Sequence, residues 1–99
     1  MKKKNLGIIP TIYERRNSLN TIIELRVYKF IKSCFKNYNI IVLEECLNKN
    51  LDIIISLGGN SLLSLEKNNS NIFRKKLDKF YLKKSIKNKI PFLGICHGA

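Results

Sequence analysis

The sequence has no closely spaced cysteines and no long apolar run, and each absence excludes a class of protein. Its three cysteines, an odd number at wide spacings, form neither a disulfide framework nor a Cys-x-x-Cys metal motif. No apolar run approaches the roughly 20 residues that cross a membrane. The apolar run at residues 6–9 is too short for an export signal, which needs roughly 7–15 apolar residues. We therefore expect free thiols, a cytoplasmic protein, and no metal, cofactor or membrane partner.

Acidic residues are also scarce: 7 of them face 19 lysines and arginines, for a net charge of +12. Much of this excess follows from composition, because 15 Lys, 12 Asn and 15 Ile give the bias typical of AT-rich codons. The charge is nonetheless uneven, since residues 67–89 hold Arg74 and eight lysines against the single acid Asp78. A phosphate-binding or nucleic-acid-binding face has this pattern. Aromatic residues do not alternate with the charges as stacking on bases requires, so nucleic acid is not the favoured partner.

The length of 99 residues allows one domain at most, and 44% hydrophobic residues suffice for a core. Short apolar runs alternate with helical patterns, which predicts βαβ units around a parallel sheet. We expect strands at residues 6–9, 40–43, 52–57 and 92–95. A first helix, capped by Asn17 or Ser18, is predicted from an apolar face made by Ile23, Val27, Phe30, Ile31 and Cys34.

A second helix is predicted after a loop that extends to Asn71, and it should stop before residues 88–91. Its apolar face is formed by Phe73, Leu77, Phe80, Tyr81 and Lys84, with the other lysines in water. The fold class expected is α/β: a doubly wound, flavodoxin-like, mostly parallel sheet with helices on both faces.

Two turns follow neighbouring strands of this sheet at their carboxyl ends, where doubly wound sheets bind ligands. They are Gly58-Gly59-Asn60 and Cys96-His97-Gly98. Gly94-x-Cys96-x-Gly98 has the form of a nucleophile elbow with cysteine in place of serine. A helix N-terminus after such a turn favours the thiolate, and the backbone N–H groups of both turns can form an oxyanion hole. Cys34 and Cys46 are interpreted as packing residues.

Residues 53–62 and 89–99 resemble the class I glutamine amidotransferase-like superfamily. Residues 13–19 are similar to its γ-glutamyl hydrolase branch, with Asn17 where aspartate is common. The resemblance covers residues 1–99 as the N-terminal part of a single glutamine amidotransferase-like domain, truncated after the nucleophile elbow. In the γ-glutamyl hydrolases arginine more often stands where this chain has His97, whereas a Cys-His pair is usual in the related peptidase-like and chaperone-like branch.

The resemblance implies hydrolysis of a γ-glutamyl amide through a γ-glutamyl thioester, on glutamine, a small conjugate or a γ-glutamyl nucleotide amidate. It makes Cys96 the catalytic nucleophile and Gly59 and His97 the backbone donors of the oxyanion hole. It also implies that Gly58 and Asn60 hold the glutamyl group. The expected partners are a small γ-glutamyl substrate and a synthase domain or subunit that receives ammonia.

The general base of this family, a histidine backed by a glutamate, lies far beyond the nucleophile, and His97 is the only histidine here. We therefore expect either a natural domain of roughly 200 residues or an interrupted reading frame, and no turnover by the 99-residue chain. Three alternatives stay open: a non-catalytic, chaperone-like or peptidase-like protein of the same superfamily, a basic phosphate-binding or nucleic-acid-binding module, and a phosphate cradle at Gly58-Gly59. Glu14 and Arg15 are interpreted as solvated loop charges.

Overall fold

The computed structural model describes residues 3–58 and 69–95 of the chain. Within them lie six strands and two helices. Their bounds are β1 (Lys4–Ile9), β2 (Thr11–Arg15), β3 (Ser18–Ile22), α1 (Leu25–Cys34), β4 (Tyr38–Val42), β5 (Ile53–Leu57), α2 (Asn69–Asn88) and β6 (Phe92–Ile95).

Four of the strands form one parallel sheet, in the order β4-β1-β5-β6. All three neighbouring pairs are parallel, with Leu6 opposite Ile40 and Ile53, and Leu57 opposite Ile95. Continuous isoleucine-rich runs suit the inner strands of such a sheet, because both of their faces are covered. The α/β class, the parallel sheet and the four strands expected from the apolar runs are thereby confirmed.

Two separate apolar cores lie on the two faces of the sheet, because successive side chains of a strand point to opposite sides. Leu6 and Ile8 pack with Ile31 of α1. Ile9 and Ile54 pack with Leu77 and Tyr81 of α2. Each helix therefore buries its apolar stripe against a different core.

The segment after Pro10 forms a hairpin, so the prediction of a helix capped by Asn17 or Ser18 is wrong. Strands β2 and β3 pair antiparallel, with Arg15 opposite Ser18. The two residues between them, Arg16 and Asn17, both have positive φ, at 51° and 63°. A two-residue loop with this geometry matches the right-handed twist of the flanking strands. Local turn geometry thus overrides the capping preference of Asn and Ser.

Helix α1 begins at Leu25, later than predicted, and its buried stripe is narrower than the apolar pattern indicates. Ile31 is buried, and Val27 and Ile23 pack beside it. Phe30 is 64% exposed and Cys34 is exposed, so their assignment to the packed face is wrong. Phe35, just after the helix, packs against this core instead. Ile23 precedes the helix, so the packed stripe of α1 begins at Val27 and not at Ile23 as predicted.

Helix α2 runs from Asn69 to Asn88, slightly longer at each end than predicted. Leu77 and Tyr81 are buried, and Phe73 and Phe80 pack beside them, which confirms the predicted face. The helix ends where Lys89 takes a positive φ of 55°. The N–H of Ile90 donates to the carbonyl of Ser85 at 2.9 Å, the six-to-one bond of a Schellman motif.

In the part of the chain that the structure describes, no helix has both the length and the apolar character to cross a membrane.

Candidate functional site

The candidate site lies at the carboxyl ends of β1, β5 and β6, which are adjacent in the sheet. From β1 the chain connects to β4 on one side, whereas β5 and β6 lie on the other side. The strand order thus changes direction between β1 and β5, the place where open α/β sheets leave a crevice for ligands. Gly58 and Ile95 are the last described residues of the two strand ends at this crevice.

Two hydrogen bonds from neighbouring elements fix the exit of β5. The hydroxyl of Thr11 donates to the carbonyl of Gly58, and the guanidinium of Arg74 donates to the carbonyl of Leu57. Among the described residues, a small cavity of about 30 Å³ opens beside this exit. It is lined by Thr11, Glu24, Val27, Leu57, Gly58 and Ile95.

Arg74 is the main polar residue beneath the site, because its buried side chain connects α2 to two strand ends. Its guanidinium donates to the carbonyl of Pro10 at 3.1 Å and to the hydroxyl of Ser56 at 2.5 Å, in addition to Leu57. It also forms an ion pair with Asp78, one turn along α2, at 3.1 Å. The planar guanidinium presents five N–H donors in a fixed arrangement, which suits one group that holds several acceptors.

Asp78 and Ser56 complete this polar cluster. The hydroxyl of Ser56 donates to the carboxylate of Asp78 at 3.1 Å. Arg74 is 6% exposed, and such burial of a charge is stabilising only when partners compensate for lost hydration. The cluster therefore fixes the position of α2 relative to the ends of β1 and β5.

The role of Arg74 was missed from the sequence, where this residue counted only as part of the basic segment 67–89. Two signals point to it in retrospect. Arg74 lies at helical spacing with the apolar residues Leu77 and Tyr81, which places it on the buried stripe. Ser56 interrupts an otherwise apolar strand, and Asp78 is the only acid in α2.

Tyr81 forms a second anchor of α2, away from the site and near the end of β4. Its hydroxyl donates to the carbonyl of Glu45 and accepts from the N–H of Leu47 at 3.3 Å. Burial raises the pKa of the Tyr81 phenol above its ordinary value of 10.0, the Leu47 N–H lowers it, and electrostatic interaction with Cys46 and Glu45 raises it further. The phenol therefore stays neutral and keeps the proton that it donates to Glu45. In this form it holds the loop after β4 in place.

Of the predicted site residues, Gly58 directly follows β5 at the carboxyl edge of the sheet, and its role in binding stays a prediction. Cys96, His97, Gly59 and Asn60 lie outside the described residues, so their arrangement stays a prediction. The strands that lead into both turns are adjacent and in register, with Ser56 opposite Gly94 and Leu57 opposite Ile95.

Glu14 and Arg15 lie in β2 and are exposed, and Glu14 accepts a hydrogen bond from the side chain of Asn69 at 3.1 Å. Cys34 and Cys46 are free thiols, the first exposed and the second half-buried. Among the described side chains, no group of three or more His, Cys, Asp or Glu residues is arranged to hold a metal ion.

Comparison of the chain with models of protein families, with curated proteins and with solved structures finds no match in any of the three. Any assignment of function therefore depends on the residues and on the geometry of the sheet edge.

Proposed function

We propose that this chain carries the nucleophile half of a cysteine-dependent γ-glutamyl amide hydrolase. The fold is then a doubly wound, flavodoxin-like sheet, and residues 1–99 are the N-terminal part of a glutamine amidotransferase-like domain. The observation that carries the proposal is that β5 and β6 are adjacent and pair in register as far as Leu57 and Ile95. These two strands lead directly into the Gly58-Gly59-Asn60 and Cys96-His97-Gly98 turns.

The proposed reaction begins when the Cys96 thiolate attacks the carbonyl carbon of the γ-glutamyl amide. The carbonyl π electrons move onto oxygen, and the resulting oxyanion accepts hydrogen bonds from the backbone N–H groups of Gly59 and His97. Collapse of this intermediate forms the γ-glutamyl thioester and breaks the C–N bond, and the leaving nitrogen takes a proton and departs as ammonia or an amine. Water then attacks the thioester, which releases the γ-carboxylate and regenerates the thiol.

Gly58 and Asn60 are proposed to hold the glutamyl group beside the thiol. The substrate class includes glutamine and small γ-glutamyl conjugates, among them γ-glutamyl nucleotide amidates. Ammonia released from glutamine would pass to a synthase domain or subunit. Proton transfer requires a general base, which the resemblance assigns to a histidine backed by a glutamate. His97 does not fill this role, because the side chain that follows the nucleophile in an elbow points away from it.

The Arg74 cluster supports this proposal by holding the backbone where an oxyanion hole needs rigidity. Donors aimed at developing charge are effective only when they are held in place before the reaction. Arg74 and Thr11 bind successive carbonyls of Leu57 and Gly58, immediately before Gly59. In the proposed mechanism, a backbone held in this way presents the next N–H group in a constant direction.

Selective modification of Cys96 by a diazoketone analogue of glutamine tests the proposal. The analogue alkylates a thiol after it has bound, as a substrate would, in the site beside that thiol. Measurement of the intact mass together with peptide mapping shows which cysteine has reacted. We expect Cys96 to react at least about ten-fold faster than the exposed Cys34. Excess glutamine should slow the reaction of Cys96 alone.

Iodoacetamide, which needs no γ-glutamyl pocket, provides the control reagent, and Cys96→Ser provides the control variant. Equal rates at Cys34 and Cys96 with the glutamine analogue would reject the proposed site. A lack of protection by glutamine would reject it as well.

A further inference from the structure

The outer side of α2 carries an exposed row of lysines and isoleucines that core packing does not explain. Lys75, Lys79 and Lys83 are exposed, and Ile72 and Ile86 are 55% and 73% exposed. These five positions follow the spacing i, i+3, i+7, i+11 and i+14, which places them on one face of a helix. We call this set the outer row.

No acidic residue of α2 lies beside the outer row. Asp78, the only acid of α2, is turned inward to Arg74 and Ser56. Glu44 and Glu45 border the flank of α2 that carries Lys76, where they line a cavity with Phe73. The positive charge of Lys75, Lys79 and Lys83 is therefore not neutralised within the helix and faces solvent.

The side-chain types in the outer row distinguish among anionic partners. Protein interfaces are enriched in arginine and aromatic residues and depleted in lysine, and single-stranded nucleic acids need aromatic rings for stacking. The outer row has neither, and aliphatic side chains bind no phosphate. An exposed row of lysines suits an anionic lipid surface, where ammonium groups meet phosphates, and the isoleucines near its two ends can reach the headgroup boundary.

We propose that α2 docks through its outer row on an anionic lipid bilayer surface. The 20 residues of α2 extend over roughly 30 Å, so Ile72 and Ile86 can insert about two-thirds of that length apart with the lysines between them. Such contact lies in the plane of the headgroups and needs no spanning helix. The expectation of no membrane partner was based on the lack of a spanning run, so it does not bear on surface contact.

The proposal is tested by sedimentation of the full chain with vesicles of phosphatidylcholine alone or with about 30% phosphatidylserine. Binding should require phosphatidylserine and weaken as salt rises. We expect K75Q/K79Q/K83Q to lower the partition constant at least about ten-fold. I72S/I86S should lower it about five-fold or more.

The triple variant K29Q/K32Q/K36Q is the matched control, because it removes the same charge from α1 and the turn after it, where the three lysines are also exposed. It should keep at least half of the binding, and circular dichroism should show all variants folded. Equal losses in both triple variants would overturn the proposal, because total charge and not the outer row would then explain binding. No binding to anionic vesicles, or tighter binding to an RNA or DNA oligonucleotide than to them, would also overturn it.

Discussion

Gly7 lies in the middle of β1, where the side chains of two leucines pack closely against its backbone. A Cβ at this position would lie 2.7 Å from Cδ1 of Leu43 and 3.1 Å from Cδ1 of Leu51. Both leucines are buried, so neither can move without disturbing the core. The lack of a side chain at Gly7 is therefore a packing requirement of the inner strand.

Replacing Gly7 by alanine should destabilise the fold by about 1–3 kcal/mol, the range for overpacked cores. Gly94 provides the matched control, because none of the described atoms lies within 4 Å of a Cβ built there. Gly94→Ala should change stability by less than about 1 kcal/mol. Urea denaturation measures both, and equal effects of the two substitutions would show that space at Gly7 is not limiting.

Arg74 should contribute to stability through its geometry as well as its charge. Arg74→Met removes the guanidinium donors of Asp78 and of the carbonyls of Pro10 and Leu57, and we expect a loss of about 3–5 kcal/mol. Arg74→Lys keeps the charge but not the planar array of donors, so about 1–3 kcal/mol should be lost.

The exposed Arg15 supplies the comparison for these two variants. Arg15→Met should change the free energy of unfolding by no more than about 0.5 kcal/mol. If Arg74→Lys proved as stable as the wild type, the multiple contacts of the guanidinium would contribute nothing beyond its charge.

The raised pKa of the buried Tyr81 phenol gives the fold a dependence on alkaline pH. As pH rises, the unfolded chain loses this proton first, near the ordinary pKa of 10.0. The stability that the neutral phenol provides is therefore complete below about pH 10 and falls as pH rises through the folded-state pKa.

Tyr81→Phe should lower stability by about 1–2 kcal/mol at pH 8 and should flatten this alkaline decline. Chemical denaturation at pH 8 and above pH 10 measures both effects. Tyr13→Phe, at a position 40% exposed, should leave the decline unchanged. An unaltered alkaline decline in Tyr81→Phe would assign it to another group.

At the scale of elements, the hairpin after β1 shows where sequence patterns fall short. Asn17 and Ser18 are good N-cap residues, and an apolar periodicity follows them, so a helix is the natural prediction. The loop has no glycine to reveal the positive φ angles of Arg16 and Asn17. Pairing of β2 with β3 and burial of Ile12 against α2 decide the structure, and the burial of Ile12 depends on residues far along the chain.

The strands at the centre of the sheet were predictable, because apolar runs such as that of Ile53–Leu57 have few other solutions. The packed face of α2 was predictable for a similar reason, since Leu77 and Tyr81 recur at helical spacing. The exposure of Phe30 was not, because an apolar residue beside a stripe can lie on either side of its edge.

Arg16→Asn with Asn17→Gly should stabilise the hairpin, because Asn-Gly is the favoured pair for a two-residue loop with positive φ. We expect a gain of about 1 kcal/mol in the free energy of unfolding, since asparagine adopts this region more readily than arginine, and glycine more readily than asparagine. Asn37→Gly is the control, because Asn37 lies in a turn without positive φ. It should be neutral or destabilising, and a gain there equal to that in the hairpin would contradict the explanation.

At the scale of the whole molecule, the candidate site at the carboxyl edge of the sheet depends both on sequence motifs and on strand topology. The motifs of residues 58–60 and 94–98 were visible in the sequence because glycines mark turns. The adjacency of their strands follows from topology rules and is present in the structure. The support beneath them could not be predicted, because Arg74 binds carbonyls of residues far from it in the sequence.

The central claim is that Cys96 attacks a γ-glutamyl amide, and the most direct measurement is hydrolysis by the product of the complete natural reading frame. We expect that frame to supply a histidine with a glutamate two residues later, and its product to release ammonia or an amine from γ-glutamyl substrates. Cys96→Ser should abolish this turnover, whereas Cys34→Ser should retain it. A stop codon directly after Ala99, no turnover on any γ-glutamyl amide, or turnover that survives Cys96→Ser would contradict the account.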